Sequence, residues 1–392
     1  MKHAFQQIMI FQDSGKGTQM AHIKSLDIKS FRGISSLKLE DLSPINILTG
    51  DNNSGKTSVL EVLRSYEDFA NVRVWMGLLR RETSRIGIPG SLSIYEGFYD
   101  LFNINEEDKK VEYVIESTQG GKDTVDHILL TAAEGERELT QKEYRELLSG
   151  VRAGHDSEGD DLMVIVSDLD IRIIVNGIPV YETSVVEGQW NIPYKNNAFL
   201  QRKDAKKIIY ISPSSHTKGH VYLSEILKHP DLYEEMLEVL KDYDEDIISI
   251  NYDNDSKYTN RGIYKILSRS YKEALPLNMY GDGMKKAILL MSAVLKAQDG
   301  ILLLDEFETA IHTSAMDRTF RWILETCLKL NVQVFLTSHS KEAIEKVLKC
   351  SDEVRKNIAL YTLYKKSSGT FARRLSGEKA LEAQDEMGLE LR

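Results

Sequence analysis

The stretch "INILTGDNNSGKTSVLEVL", Ile45 to Leu63, decides the fold. Its first residues are almost wholly apolar, as in a strand buried on both faces, and "KTSVLEVL" follows with helical spacing. Between them lies GxxxxGKT, formed by Gly50, Gly55, Lys56 and Thr57. A strand, a glycine-containing loop and a helix start turn backbone N–H groups and the positive end of a helix dipole toward one point. That point suits a phosphate. The spacing assigns Gly50, Asp51, Asn52, Asn53, Ser54, Gly55, Lys56, Thr57 and Ser58 to a nucleotide. Lys56 would neutralise β/γ charge, and the Thr57 hydroxyl would ligate Mg²⁺. The earlier "DSGKGTQ" lacks the upstream glycine and the preceding strand, so it is a decoy.

Downstream, "GILLLDEFETAIH" ends an apolar run in Asp305, a carboxylate at a buried strand tip that can hold Mg²⁺. Glu306 follows, placed to orient or deprotonate an attacking water. "VQVFLTSHS" ends another strand in Ser338 and His339, and His339 at that edge could hydrogen-bond a γ-phosphate. Together with the cradle, these residues imply an ATP- or GTP-hydrolysing site. "MYGDGMKKAILL", residues 279 to 290, puts Gly281 and Gly283 around Asp282 at a helix start, where Asp282 would serve as cap. Two glycines there imply a close approach to the backbone.

Around these motifs the fold class is α/β. Strand–helix alternation from "AILLMSAVLKAQ" to "IALYTLYKK" predicts a mainly parallel sheet flanked by helices. Residues 1–20 read as a leader outside the fold, and 21–91 as the N-terminal part with the cradle. Residues 92–199 read as a β-rich insertion lobe, with Asn176-Gly177 as a hairpin turn. Residues 200–392 read as a helical segment, including "YKILSRSYKEAL", followed by the C-terminal part of the α/β domain.

The 392 residues are 42% hydrophobic, enough for a sizeable core, and the net charge of −10 argues against an overall nucleic-acid coat. With Cys327 and Cys350 the only cysteines, a disulfide framework and a cysteine zinc site are excluded, and a cytoplasmic setting is expected. No apolar run is long enough to span a bilayer, so no membrane partner is expected.

The opening "IKSLDIKSFRGI", GDNNSGKT, the glycine pair before a helix, LLLDEFETAIH and FLTSHS together resemble the ABC-type ATPases of the SMC/RecF/OLD group. The likeness is above all to stand-alone prokaryotic ATPases of the AAA-15 and AAA-21 families, without a Toprim nuclease domain. It runs from about Ala21 to the final "MGLELR" and is weakest across the insertion. It implies a P-loop NTPase of ABC/SMC-head type that uses ATP and Mg²⁺. It also implies that Gly281, Asp282 and Gly283 form a signature loop closing over ATP held by a second subunit. A homodimer or higher homo-oligomer follows, with a separate effector protein encoded nearby, DNA as a further partner, and work in antiviral defence or genome maintenance. Two alternatives are a transporter-type ABC subunit and an OLD-like nuclease component. The sequence departs from the pattern at Tyr280, where a signature serine is usual. For the glutamine that senses Mg²⁺ it offers only Gln201 or the "SPSSH" loop at 212–216. His312 resembles the loop that faces the other subunit.

Several other features carry less. Asp168 and Asp170 in "MVIVSDLD" read as hairpin residues, because the Glu-Gly strand end a Toprim site needs comes after them. "HTKGH" lacks the glutamate of a zinc hydrolase helix. Basic clusters at Arg80, Arg81 and Arg85, at Arg202, Lys203, Lys206 and Lys207, and at Arg373 and Arg374 could meet phosphates or be exposed faces.

Overall fold

Buried strands that pack on both sides send alternate residues into different cores, and this organises the molecule. The computed structural model describes residues 22–79, 92–149, 161–192, 206–218, 221–253 and 262–387. In chain order the strands are β1 (Ile23–Phe31), β2 (Ile34–Leu39), β3 (Ile45–Gly50), β4 (Lys110–Gln119), β5 (Lys122–Thr140), β6 (Met163–Val175), β7 (Ile178–Val186), β8 (Ile208–Ile211), β9 (Ile247–Asp253), β10 (Ile263–Ser268), β11 (Leu275–Pro276), β12 (Ile301–Leu304), β13 (Gln333–Thr337), β14 (Ile358–Lys366) and β15 (Gly369–Ser376).

The central sheet has the order β15-β14-β3-β13-β12-β8. All neighbours are parallel except β15, which pairs antiparallel with β14. Ile301 and Leu303 of β12 join one core, and Leu302 and Leu304 join the other. β14 divides in the same way, with Ala359 and Tyr361 against Ile358 and Leu360. Because the strands run parallel, their carboxyl ends lie along one edge. The loops after β3, β8, β12 and β13 therefore converge there.

One face of this sheet is covered by helices Asp282–Lys296, Thr313–Lys329 and Lys341–Leu348, with a small sheet of order β11-β10-β9 beside them. The other face carries the helix Lys56–Ser65, whose Val59, Leu60, Val62 and Leu63 share a core with a second six-stranded sheet. That sheet is antiparallel, in the order β2-β1-β4-β5-β6-β7. So one flank is closed by a helix and a sheet. Asn176 (φ 51°) and Gly177 (φ 80°) make the tight turn between β6 and β7.

The strands of the 92–199 span extend a sheet that begins before them. β4 pairs with β1, Leu26 opposite Ile115, and continues the sheet that β1 and β2 begin. Tyr66, just past the cradle helix, donates a 2.7 Å hydrogen bond to Asp126 of β5 and lies 2.9 Å from the Ser117 hydroxyl of β4. One core thus spans both parts of the chain. One correction concerns "YKILSRSYKEAL". Its first half is β10, with Ile266 paired to Ile250 of β9 and fully buried, and not a helix. Strand pairing decides the state of so short an apolar segment.

Candidate functional site

The cradle loop leaves β3 at Gly50, whose φ of 132° and close approach to β14 both require glycine. A Cβ there would stand 2.2 Å from the Leu363 carbonyl oxygen. Gly55 caps the following helix in left-handed backbone with no side-chain cap, and no acidic residue occupies the first helical turn. The helix start is therefore open to an anion. Asp51, Asn52 and Asn53 are exposed, whereas Ser54, Lys56 and Ser58 are buried. The Ser54 hydroxyl is buried without a partner among the described residues. Lys56 Nζ donates to the carbonyls of Gly50 (2.7 Å) and Asp51 (2.8 Å). Burial lowers the Lys56 pKa, against the pull of Asp305 and Asp51. A buried ammonium held only by neutral carbonyls, beside an unpartnered hydroxyl and an uncapped helix, fits a phosphate chain.

Asp305 follows β12 and is buried. Its Oδ1 accepts from Thr57 Oγ1 (3.2 Å) and Thr337 Oγ1 (2.6 Å), and its Oδ2 accepts from Tyr210 OH (3.2 Å). Thr57 and Asp305, 248 positions apart, are thus in contact, the pair the sequence assigned to Mg²⁺. Thr337 also accepts from the Glu306 N–H at 2.8 Å. That bond holds Glu306 in left-handed backbone (φ 43°), a conformation costing about 1–3 kcal/mol in a non-glycine residue. The turn lifts the Glu306 carboxylate out of the core, with His339 Nε2 at 3.8 Å from Glu306 Oε1.

Sequence reasoning missed Thr337, Tyr210, Glu308 and Lys286. Thr337 stands beside Ser338 at a strand tip, and Tyr210 lies opposite Leu303 on the adjacent strand, but only the pairing shows it. Burial and the Asp305 charge raise the Tyr210 pKa, so its hydroxyl stays a donor. Glu308 Oε1 accepts from Ser338 Oγ (2.8 Å) and from the N–H groups of His339 and Ser340 (3.2 Å each). This fixes the turn that carries His339.

The second glycine loop opens the helix Asp282–Lys296, but its cap is Gly281 and not Asp282. Asp282 is the first helical residue and pairs with Lys285 at 2.6 Å. A Cβ on Gly283 would lie 3.0 Å from the Ala310 carbonyl oxygen, so close approach within the chain explains that glycine. Among the described residues, Gly281 has no atom within 4 Å of a Cβ position beyond its chain neighbours, and its φ is an ordinary −63°.

The "SPSSH" loop follows β8 on the site's edge, where Ser212 and Ser215 hydroxyls lie 2.8 Å apart. Gln201, the leader, Arg80, Arg81, Arg85, Arg202 and Lys203 lie outside the described residues. Arg374 Nε donates to the Asp41 carbonyl, and Asp168 pairs with Arg137 at 3.1 Å within the antiparallel sheet. His312 caps the helix Thr313–Lys329, accepting from the Ser314 N–H. Among the described residues no helix is long and apolar enough to cross a membrane, and no group of three or more His, Cys, Asp or Glu is arranged to hold a metal.

Residues 198–345 match the family described as "AAA domain, putative AbiEii toxin, Type IV TA system". A Helicobacter pylori protein named ATP/GTP phosphatase is 27% identical over 349 residues, 82% of this chain and 86% of that protein. Among solved structures, an Smc head bound to the C-terminal winged-helix domain of ScpA aligns with 92% of this chain and 100% of its own, at 12% identity and a TM-score of 0.47. The recombination mediator RecF aligns with 90% of this chain and 98% of its own, at 12% identity and a TM-score of 0.44.

Proposed function

We propose that the chain is an ABC-type ATPase of the AAA-21 kind, an ATP-hydrolysing switch that pairs around ATP; the AAA-domain match over residues 198–345 and the 27% identity to an ATP/GTP phosphatase support the ATPase part of this reading. In this reading the cradle residues Gly50 to Ser58 bind the phosphates, and Thr57 with Asp305 would hold Mg²⁺. Mg²⁺ when bound supplies charge neutralisation at the β and γ oxygens. Glu306 accepts the proton of the attacking water, and His339 hydrogen-bonds the γ-phosphate. Tyr210 and Thr337 keep Asp305 turned toward Thr57. The observation that carries the proposal is the contact of Thr57 with Asp305, with Glu306 and His339 3.8 Å apart beside it.

The Gly281–Gly283 loop is the surface we assign to a second copy's ATP. Gly281 supports this, because neither its backbone nor its surroundings among the described residues require glycine. Switching then couples ATP turnover to a separate effector or to DNA, in a setting such as phage defence or genome maintenance. The protein is expected to work in the cytoplasm.

Glu306→Gln tests the hydrolytic half. Turnover should fall by roughly 10²–10⁴-fold while Mg-ATP still binds, and an ATP-dependent dimer should accumulate in light scattering. Adding Gly281→Arg should dissolve that dimer. Wild-type turnover in Glu306→Gln removes the assigned base, and an intact dimer in the double variant removes the trans-acting loop.

A further inference from the structure

Lys286 is a fully buried lysine outside the phosphate cradle. Its described hydrogen bond is long, 3.4 Å to the Pro213 carbonyl. A buried ammonium with so little around it is costly unless a carboxylate shares its pocket. Glu308 is the carboxylate whose charge acts on it most strongly, from beyond ion-pair distance. Its Oε1 gathers the Ser338–Ser340 turn, while its Oε2 is buried with no hydrogen-bond partner among the described residues.

Local geometry explains why these groups share a neighbourhood. Gly283 lies against the Ala310 carbonyl, so the Glu306–Ala310 turn packs on the first turn of the helix that Gly281 opens. Lys286 is three residues beyond Gly283 and so lies on the same face, one helical turn along. Glu308 is two residues before Ala310. Of the charges that favour the ammonium, Glu308 is the strongest, followed by Asp305 and Glu306.

We propose that Lys286 is a positioning residue, whose buried charge holds Glu308 and through it the turn that sets His339 beside Glu306. This rests on the hydrolytic reading above and deepens it. The helix bearing the Gly281 loop becomes mechanically tied to the hydrolytic groups of its own subunit. Whatever docks at Gly281 could then alter turnover without touching bound nucleotide.

The test measures kcat, KM for Mg-ATP and direct Mg-ATP affinity in the full chain. Lys286→Met keeps the side chain's length and removes its charge. It should lower kcat by on the order of 10- to 100-fold with KM and affinity within about twofold, since displaced catalytic groups lose rate before binding. Lys286→Arg should recover part of that loss. Glu308→Gln should reproduce it, and the double variant should be no slower than the slower single, the sign of one shared interaction. If Lys286→Met fails to fold, Lys286→Arg, Glu308→Gln and their combination give the same cycle. An unchanged kcat in Lys286→Met overturns the proposal. So do multiplicative losses in the double variant, or affinity falling in step with turnover. Glu306→Gln run beside them separates the two readings: if it alone loses turnover, only the Lys286 link is wrong, and if it keeps wild-type turnover the hydrolytic reading is wrong.

Discussion

The two glycine loops at the site look alike in sequence and differ in what makes their glycines necessary. In the cradle, Gly50 and Gly55 have φ values of 132° and 104°, and any Cβ would press on Leu363 or Ile34. The second loop is divided. Gly283 faces the Ala310 carbonyl at 3.0 Å, while Gly281 faces open space in backbone that any residue can adopt. The cradle is thus built by the fold itself, around a ligand it must shape. Of the second loop, one glycine serves the fold, and nothing among the described residues requires the other. A glycine that the described residues do not require is consistent with the proposed contact to a second copy.

The comparison breaks most sharply at Gly50→Ala. The backbone would have to leave its left-handed conformation, and the 2.2 Å approach to Leu363 would force β3 and β14 apart. Strain of that backbone kind alone costs about 1–3 kcal/mol, and the displaced loop should lose Mg-ATP binding altogether. Calorimetric titration beside a thermal melt checks both. Retained affinity would mean that the cradle tolerates a side chain as readily as Gly281 does.

Legibility follows the same division. Asp305 could be placed at a strand tip because apolar residues run directly into it, and the cradle because strand, loop and helix are contiguous. What could not be read is pairing at a distance. Nothing local says that β1 accepts β4 from beyond residue 92, or that the span read as a β-rich insertion lobe shares a core with Tyr66 and the cradle helix. Nor could β10 be told from a helix, since Tyr264, Leu267, Tyr271 and Leu275 also fall at helical intervals. The neighbouring lysines of "MKKA" look equivalent in the sequence. One residue of helical rotation leaves Lys285 paired with Asp282 at the surface and puts Lys286 in the core. Deleting 92–199 should therefore strip the cover from β1 and the cradle helix, and not simply remove an accessory.

The helix behind Gly281 can be probed through the charge it buries. Burial depresses the Lys286 pKa to about 8 from 10.5, although Glu308, Asp305 and Glu306 favour the charged form. His216, whose own pKa burial and this lysine lower, is a further titratable neighbour on the β8 side. A lysine depressed in the folded state binds more protons when unfolded between those two pH values. Its contribution to stability therefore rises with pH there, by at most about 1.4 kcal/mol per unit, and is flat below the folded value. Lys286→Met has no proton to lose. Its stability relative to wild type should fall as the pH is raised from 8 toward 10.5, which denaturant melts at several pH values would record. A constant difference would mean that Lys286 titrates as an ordinary exposed lysine.

The smallest expected effect is the most telling for the comparison. Gly281→Ala adds a methyl group where no atom of the described residues beyond its chain neighbours lies within 4 Å, in backbone at φ −63° and ψ 156°. Stability of the isolated chain should change by no more than about 0.5 kcal/mol, the range of an ordinary surface substitution. Mg-ATP affinity of the monomer should also stay put, because the cradle is a separate loop on separate elements. If a second copy's nucleotide packs against this glycine, ATP-dependent association should nevertheless weaken, and more so as the side chain grows from Ala to Arg. Association measured in the Glu306→Gln background, where ATP persists, isolates that term from turnover. A graded loss of pairing at constant stability is the signature of a glycine kept for an interface. If pairing is indifferent to side-chain size, Gly281 is only a surface residue, and the contrast between the two loops ends at the cradle.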